Sequence, residues 1–273
     1  MKVKVLVENT SISSKYKSKH GLCIYIQTAK HKILFDLGPN GLFLENARKI
    51  GVDIAEIDTV VISHGHLDHG GALSLFLQNN HSAKIYIRKT AFDKHYTKVL
   101  GLPFSVGLDR SLMDNKQIIF TDSVEVIDDE LMLFSDVQAK ELNSSSNLAL
   151  LAKINGKKQI DNFTREQNLL ITEGDNVVLF AGCAHAGIVN IKSRAEQLTK
   201  GKPLKIVGGF HLYNPVYKKH KEKELVDKIA ERLEGGKTCY YTCHCTGKWA
   251  YSIMKERLKD SLHHLSTGNE IEI

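Results

Sequence analysis

Four side chains that can bind metal ions lie within six residues of one another, in the stretch Ser63-His64-Gly65-His66-Leu67-Asp68-His69-Gly70-Gly71. Imidazole and carboxylate groups are common ligands of zinc and of other divalent ions. The apolar run at residues 57–62 precedes this cluster and a glycine pair follows it. The cluster is therefore expected where a strand ends and a helix begins.

The spacing of the cluster predicts two neighbouring metal positions. Alternation along a strand would place His64 and His66 on one side, where they could share an ion. Asp68 and His69 follow the strand end and could reach a second position close by. The alternative is a polar loop around a glycine turn, since a single histidine is more often a surface or core residue than a ligand. Four ligand-type residues at this spacing favour metal binding.

Three more histidines, His185, His211 and His244, also follow predicted strands. Open α/β folds place their sites at the carboxyl ends of the strands, so these histidines are expected at the edge that carries the first cluster. Small residues surround His185 and let other groups approach it closely. We predict that His185 completes the ligand set of the ion held by His64 and His66.

Period-two and helical patterns predict the remaining elements. The predicted strands span residues 2–8, 22–27, 32–35, 85–87, 117–120, 124–127, 131–134, 168–172 and 177–180, with further strands before His211 and His244. The predicted helices span residues 39–50, 188–200, 221–233 and 249–258, and another begins at residue 72. Strands that alternate with helices indicate an α/β fold.

The string His-x-His-x-Asp-His at residues 64–69, preceded by Val-Val-Ile-Ser, resembles the signature of the metallo-β-lactamase superfamily. The motifs at residues 182–190, 208–212 and 244–247 are similar to those of one branch of it. That branch includes the archaeal 7,8-dihydropterin-6-methyl-4-(β-D-ribofuranosyl)aminobenzene 5′-phosphate synthase and many uncharacterised metal-dependent hydrolases. The resemblance implies an α/β (α+β) fold, a four-layer αββα sandwich, with two divalent metal ions.

The resemblance also implies a second ligand set and residues that orient the ligands. The second ion would be held by Asp68, His69 and His244. Three residues would lie behind the ligands and fix their orientation: Asp36, Asn9 and Cys183. A plain turn-forming role is the alternative for Asp36.

His211 departs from the pattern of the superfamily, because hydrolytic members often have a bridging aspartate at this point. A neutral imidazole cannot bridge two ions as a carboxylate does. Either the second ion binds more weakly, or His211 contacts the substrate instead. Cys243 and Cys245 flank His244 and offer soft ligands, but alternation along a strand would point their side chains away from it.

The length and the charge of the chain limit which architecture and which substrate are possible. The chain has 273 residues, of which 42% are hydrophobic, and this fits a single domain over residues 1–273. An insertion at about residues 90–165 would shape the substrate pocket. Lysine and arginine number 37 against 31 aspartates and glutamates, a net charge of +6. This excess fits a small anionic substrate and falls short of the basic stripe of a nucleic-acid binder.

Two further regions supply candidate substrate contacts. A polar loop near the N-terminus carries Lys15, Lys17 and Lys19, which could form a basic rim for an anionic group, although such loops are usually just solvated. The predicted insertion offers four candidates without a motif behind them: His95, Tyr96, Arg110 and Lys116.

The motifs predict a metallohydrolase, in which a metal-bound hydroxide attacks a small, phosphorylated or pterin-like substrate. Asp68 would orient the hydroxide, and His211 would act in the active site. Zinc is the expected metal, and manganese or iron would also suit these ligands. The alternative is a transferase in which the ions bind a diphosphate leaving group. It would condense a dihydropterin-methyl diphosphate with an aminobenzene ribofuranosyl phosphate.

Three other functions are disfavoured. A nuclease of the superfamily would need a basic and aromatic arm for RNA, which the sequence lacks. The redox di-iron subgroup generally has a glutamate where His66 stands. A complete ligand set argues against a scaffold without catalysis.

The cysteines and the hydropathy pattern predict the compartment. The five cysteines form no secreted disulfide framework, so free thiols in a reducing cytoplasm are expected. The N-terminal residues alternate charged and apolar side chains, and no apolar run approaches the length of a membrane span. The oligomeric state stays open.

Overall fold

The computed structural model describes residues 1–154, 156–213 and 219–273. The strands are β1 (Lys2–Val7), β2 (Cys23–Gln27), β3 (Lys32–Phe35), β4 (Thr59–Val61), β5 (Lys84–Ile87), β6 (His95–Val99), β7 (Leu102–Ser105), β8 (Ile118–Phe120), β9 (Val124–Val126), β10 (Leu131–Phe134), β11 (Leu150–Ile154), β12 (Lys157–Ile160), β13 (Asn168–Glu173), β14 (Asn176–Ala181), β15 (Leu204–Gly208), β16 (Cys239–Thr242), β17 (Leu262–His264) and β18 (Glu270–Glu272). The helices are α1 (Leu42–Ile50), α2 (Leu67–Gly70), α3 (Leu73–Asn79), α4 (Ile188–Leu198), α5 (Lys219–Leu233) and α6 (Lys248–Leu258).

Two seven-stranded sheets face each other at the centre of the structure. The first has the strand order β18-β1-β2-β3-β4-β5-β8 and the second has the order β17-β16-β15-β14-β13-β10-β9. Their inner faces share one apolar core, in which Ile24 and Phe35 of the first sheet lie with Leu133 and Phe180 of the second. Alternation along each strand leaves a second apolar face on the outside of each sheet.

Helices cover both outer faces. Phe43 of α1 and Phe76 of α3 pack with residues of the first sheet in one apolar cluster. Ile191 of α4, Val226 of α5 and Met254 of α6 pack with residues of the second sheet in another. The order of layers is therefore helix, sheet, sheet, helix, and the predicted αββα sandwich is confirmed.

Parallel pairing brings the ends of the central strands to one edge of the sandwich. In the first sheet β3, β4 and β5 are parallel neighbours, with Phe35 opposite Val61. In the second sheet β14, β15 and β16 are parallel, with Phe180 opposite Val207. Because their carboxyl ends lie side by side, the residues that follow β3, β4, β14, β15 and β16 form a single surface.

The segment predicted as one insertion at about residues 90–165 is divided among three sheets. Strand β8 belongs to the first sheet, whereas β9 and β10 belong to the second. The rest forms a separate four-stranded sheet with the order β12-β11-β6-β7. The sequence did not predict these four strands, because β12 is mainly polar and its residues are exposed, so no apolar alternation marks it.

Local differences from the predicted elements are small, except just after β4. There the expected glycine turn is a helical turn, α2, which begins directly after His66. All five cysteines are unpaired, as predicted. Within the described ranges, none of the helices combines the length and the apolar character that crossing a membrane would require.

Candidate metal centre

The predicted site residues follow the carboxyl ends of five parallel strands and meet at one edge. Three of them, Asp36, His211 and His244, have φ angles of 59°, 50° and 50°, and Ala184 beside His185 has 57°. Residues other than glycine rarely adopt this left-handed region, and such strain is concentrated at functional sites. The chain therefore turns sharply after β3, β14, β15 and β16, where these side chains meet at the shared edge.

The first ligand set predicted from the sequence is brought together. The Nε2 atom of His64 lies 3.0 Å from Nδ1 of His66 and 3.3 Å from Nε2 of His185. All three side chains are buried. Strand alternation was the wrong reason for this proximity, because β4 ends at Val61 and both histidines lie in the loop beyond it.

Hydrogen bonds outside the cluster fix the tautomers of two of these histidines. The Ser63 hydroxyl donates to Asp36 Oδ2 at 2.7 Å, so its oxygen can only accept from Nδ1 of His64, 2.9 Å away. The Asn147 amide donates to the His185 carbonyl at 2.9 Å, which turns its oxygen toward Nδ1 of His185 at 3.1 Å. Both Nε2 atoms therefore present lone pairs to each other.

Electrostatics keep this first set neutral. Burial lowers the pKa of His64 well below its usual 6.5, and the neighbouring His69 and His66 lower it further. Burial also lowers the pKa of His66 and of His185 well below 6.5. Neutral imidazole is the form that binds metals. At neutral pH the three rings are therefore ready to act as ligands.

The separations of the nitrogen atoms fit a metal ion. Zinc binds imidazole nitrogen at about 2.0–2.1 Å, so two nitrogens in a tetrahedral site lie about 3.3 Å apart. The facing Nε2 atoms of His64 and His185 are 3.3 Å apart. With no proton between them, two buried lone pairs at this distance repel each other unless a cation lies nearby.

The second predicted ligand set also converges. The Nε2 atoms of His69 and His244 are 3.1 Å apart, and Asp68 Oδ2 lies 3.7 Å and 3.3 Å from them. Asn9 donates its amide to the His244 carbonyl at 3.0 Å, and its oxygen lies 3.0 Å from Nδ1 of His244. Asn9 thus lies behind a predicted ligand, where it was expected.

Asp36 is the partner of His69. Its Oδ2 atom lies 2.6 Å from Nδ1 of His69, and both side chains are buried. Burial alone would lower the pKa of His69, but the carboxylates of Asp36 and Asp68 raise it to about 9. In the metal-free protein His69 is therefore protonated at neutral pH, and an ion at the second position must displace that proton.

Two cysteines differ from their predicted positions. Cys183, expected behind the ligands, faces them, with Sγ 3.2 Å from Nε2 of His69. Cys245 was expected to point away, but its Sγ accepts a hydrogen bond from the His211 backbone at 3.2 Å. Strand β16 ends at Thr242 and His244 has a positive φ, so side-chain alternation no longer applies there. Cys243 does point away, into the core between the sheets.

His211 lies beside the first ligand set and not within the second. Its ring centroid is 4.2 Å from that of His185. A nitrogen of its ring lies within 4.8 Å of the sulfur atoms of Cys183 and Cys245. Neither ring nitrogen has a hydrogen-bond partner among the described residues.

Several residues that support the site carry no motif in the sequence and were not predicted. Glu166 is buried and accepts backbone hydrogen bonds from His185 at 2.7 Å and Ala186 at 3.0 Å. Asn147 lies in a Ser/Asn-rich loop that carried no motif. His20 belongs to the lysine-rich loop, and its Nε2 lies 3.2 Å from Asp68 Oδ2. Only the folded chain brings these distant segments to the strand ends.

The predicted basic rim receives little support from the contacts of its lysines. Lys17 forms an exposed ion pair with Glu45 at 3.1 Å. Lys15 and Lys19 are exposed, and Lys15 Nζ lies 5.1 Å from the centroid of the Tyr16 ring. A role for these lysines in substrate binding stays a prediction.

A mostly apolar cavity of about 400 Å³ lies beside His244. Its lining includes Tyr213, Lys248 and Trp249.

His95, a candidate from the predicted insertion, is buried near the other side of the centre, with its ring centroid 5.8 Å from that of His66.

Comparison with known proteins identifies the class to which this fold and site belong. Residues 19–138 match the family model of the metallo-beta-lactamase superfamily. The chain resembles the crystal structure of Tm1679, a metal-dependent hydrolase of the beta-lactamase superfamily, with a TM-score of 0.82 and 28% identity. That match covers 100% of this chain and 99% of Tm1679. The protein carries a metallo-beta-lactamase superfamily domain.

Two archaeal relatives confirm the resemblance to one branch of the superfamily. The chain is 23% identical over 288 residues to the 7,8-dihydropterin-6-methyl-4-(beta-D-ribofuranosyl)-aminobenzene-5′-phosphate synthase of Methanocaldococcus jannaschii, covering 100% of this chain and 96% of that enzyme. It is 24% identical over 249 residues to an uncharacterized protein of the same archaeon, with 90% of each chain covered.

Proposed function

We propose that this protein is a metal-dependent hydrolase that holds two divalent ions at the strand-end edge. The first ion would be bound by His64, His66 and His185. The second would be bound by three further residues: Asp68, His69 and His244. Zinc is the metal we expect from this set of imidazoles and carboxylate, and manganese or iron would also suit it.

One observation carries this proposal. The Nε2 atoms of His64 and His185 face each other at 3.3 Å while Ser63 and Asn147 occupy the protonated sides of the two rings. Burial lowers the pKa of both rings, so protonation does not relieve the repulsion. A buried arrangement of this kind is costly without a cation. Its hydrogen bonds match those that orient histidine ligands in metal sites.

The side chains around the two positions supply the rest of the chemistry. Bound here, a divalent ion would supply Lewis-acid chemistry and would lower the pKa of a water molecule. Asp68 Oδ2 lies within 3.3 Å of both His20 and His244, and this carboxylate can orient a nucleophile. The His20 side chain is 62% exposed and can pass a proton to solvent.

We propose a small anionic substrate, either phosphorylated or pterin-like. The net charge of +6 favours an anion. The five free thiols fit a reducing compartment, and we propose the cytoplasm. We do not propose a nucleic acid or a membrane as a binding partner.

A metal-dependent transferase is the second candidate, and one comparison favours it. The match to the archaeal synthase covers 100% of this chain and 96% of that enzyme, so the similarity extends over nearly the whole relative. In this reaction the ions would hold a diphosphate leaving group, and an aromatic nucleophile would displace it.

A pair of assays separates the two candidates. Purified protein with zinc or manganese is incubated with a dihydropterin-methyl diphosphate, with and without an aminobenzene ribofuranosyl phosphate. A transferase releases pyrophosphate only when the second substrate is present. A hydrolase cleaves model phosphoesters or carboxylic esters on its own. If chelator-treated and metal-loaded protein behave alike in both assays, the proposed function is wrong.

A further inference from the structure

We propose that the thiolate of Cys183 bridges the two metal ions, in the role that a carboxylate has in many dinuclear hydrolases. This inference rests on the proposed two-metal function and names a ligand beyond the six histidine and aspartate side chains. It also gives Cys183 a chemical role different from the one predicted from the sequence.

The position of the Cys183 sulfur carries the inference. With His64 and His185, its Sγ forms one group of ligand atoms that all lie within 4.8 Å of one another. With His69 and His244, the same Sγ forms a second such group. These two groups contain residues of the first and second metal positions respectively. A single buried atom that belongs to both groups lies where a bridging ligand must lie.

The distances fit thiolate ligation. Zinc binds thiolate sulfur at about 2.3 Å and imidazole nitrogen at about 2.0–2.1 Å, which places the two ligand atoms about 3.5 Å apart in a tetrahedral site. Cys183 Sγ lies 3.2 Å from Nε2 of His69. On binding, the thiol loses its proton to solvent and the sulfur lone pairs become available to both ions.

None of the carboxylates of Asp36, Glu166 and Asp68 belongs to the ligand groups of both positions. Asp36 binds the Ser63 backbone, the Ser63 hydroxyl and His69. Glu166 binds two backbone N–H groups in the loop that carries His185. Asp68 belongs to the second position only, where it meets His69 and His244. Among the described residues, Cys183 is the side chain that belongs both to the group with His64 and His185 and to the group with His69 and His244.

Two glycines near Cys183 let the surrounding segments approach each other closely. A Cβ atom on Gly182 would lie 2.2 Å from Ser63 Oγ, and one on Gly209 would lie 2.4 Å from Cys245 Sγ. Only glycine allows the two strand ends to approach this closely. The Cys183 side chain is 3% exposed, so its sulfur is buried where these strand ends meet.

Cobalt(II) substitution tests the bridge, because cobalt reports thiolate ligation by charge-transfer absorption in the near ultraviolet. Metal-free protein is titrated with up to two equivalents of cobalt, and bound metal is counted in parallel. In the wild type the absorption should grow with both the first and the second equivalent. In Cys183→Ala the absorption should disappear, and the second ion should bind at least about tenfold more weakly.

Matched variants separate the outcomes. Cys183→Ser keeps the size of the side chain and should behave like Cys183→Ala, whereas Cys243→Ala and Cys245→Ala should keep the absorption. An absorption that is complete after one equivalent, or that is lost in Cys245→Ala instead, would overturn the bridge and leave the two-metal function standing. Failure of the wild type to bind cobalt would overturn both. Circular dichroism confirms that each variant is folded.

Discussion

Asp36 Oδ2 lies 2.6 Å from Nδ1 of His69 and 2.7 Å from the hydroxyl of Ser63, which in turn contacts His64. One buried carboxylate therefore orients a ligand of each proposed metal position. A substitution of Asp36 should therefore change the orientation of both rings and affect both proposed metal positions.

Asp36→Asn should weaken metal binding about 10–100-fold, the usual cost of losing such a supporting contact. An amide can donate to Nδ1 of His69, which would move the ring proton to the nitrogen that must bind the metal. Metal affinity is measured by competition with a chromophoric chelator. Asp58 makes a similar contact to His31, 3.0 Å away and outside the site, so Asp58→Asn is the control. Equal affinities in the two variants would contradict the role of Asp36.

The charge of His69 predicts a pH dependence in the metal-free protein. Its folded pKa of about 9 lies above its usual 6.5, so protonation stabilises the fold below pH 6.5. That contribution is lost as the pH rises from 6.5 through about 9, and its size is on the order of 3 kcal/mol. The difference in unfolding free energy between wild type and His69→Gln, measured across this range, reports it. A difference that is constant or increases with pH would refute the prediction.

Asn147→Ala should reduce the affinity for the first ion about 10–100-fold. The variant removes the acceptor that holds the Nδ1 proton of His185, so the ring can turn or change tautomer. Asn143→Ala is the control. Asn143 lies in the same loop, and its exposed side chain donates a hydrogen bond to the Ala139 carbonyl and to no other group among the described residues. This variant should keep wild-type affinity. Calorimetric titration with zinc distinguishes the two. Unchanged binding in Asn147→Ala would remove this residue from the support of the site.

Gly65→Ala should destabilise the protein by about 1–3 kcal/mol and also weaken metal binding. A Cβ atom at this position would lie 1.9 Å from the carbonyl oxygen of Ala91, so the segment between His64 and His66 must move. Gly41→Ala is the control, since its nearest contact would be a leucine methyl at 3.4 Å. Denaturant unfolding measures both variants. Wild-type stability in Gly65→Ala would show that the loop is not held by this contact.

Much of the fold could be predicted from the sequence, because the central strands are short apolar runs that end in ligand-type residues. The αββα layers follow from that pattern together with the resemblance. The four-stranded sheet formed by β6, β7, β11 and β12 could not be predicted, since its strands lack apolar alternation. Tertiary contacts, not local patterns, define those strands.

The ligand histidines could be predicted from the sequence because each lies near a strand end in a recognisable motif. The residues that support them were harder to predict. Asn147 and Glu166 contact His185 across 38 and 19 residues of sequence, and no local pattern marks either of them. Cys245 was misplaced because the rule of alternation was extended past Thr242, where β16 ends and the backbone of His244 turns into the left-handed region.

The metal content of the protein, measured by elemental analysis after purification without chelators, tests the central claim most directly. We predict two divalent ions per chain in the wild type. In His66→Ala we predict loss of the first ion together with activity, because the variant removes one of its three proposed ligands. Wild-type protein that binds no divalent ion, or a metal-depleted His66→Ala variant with full activity, would contradict the account.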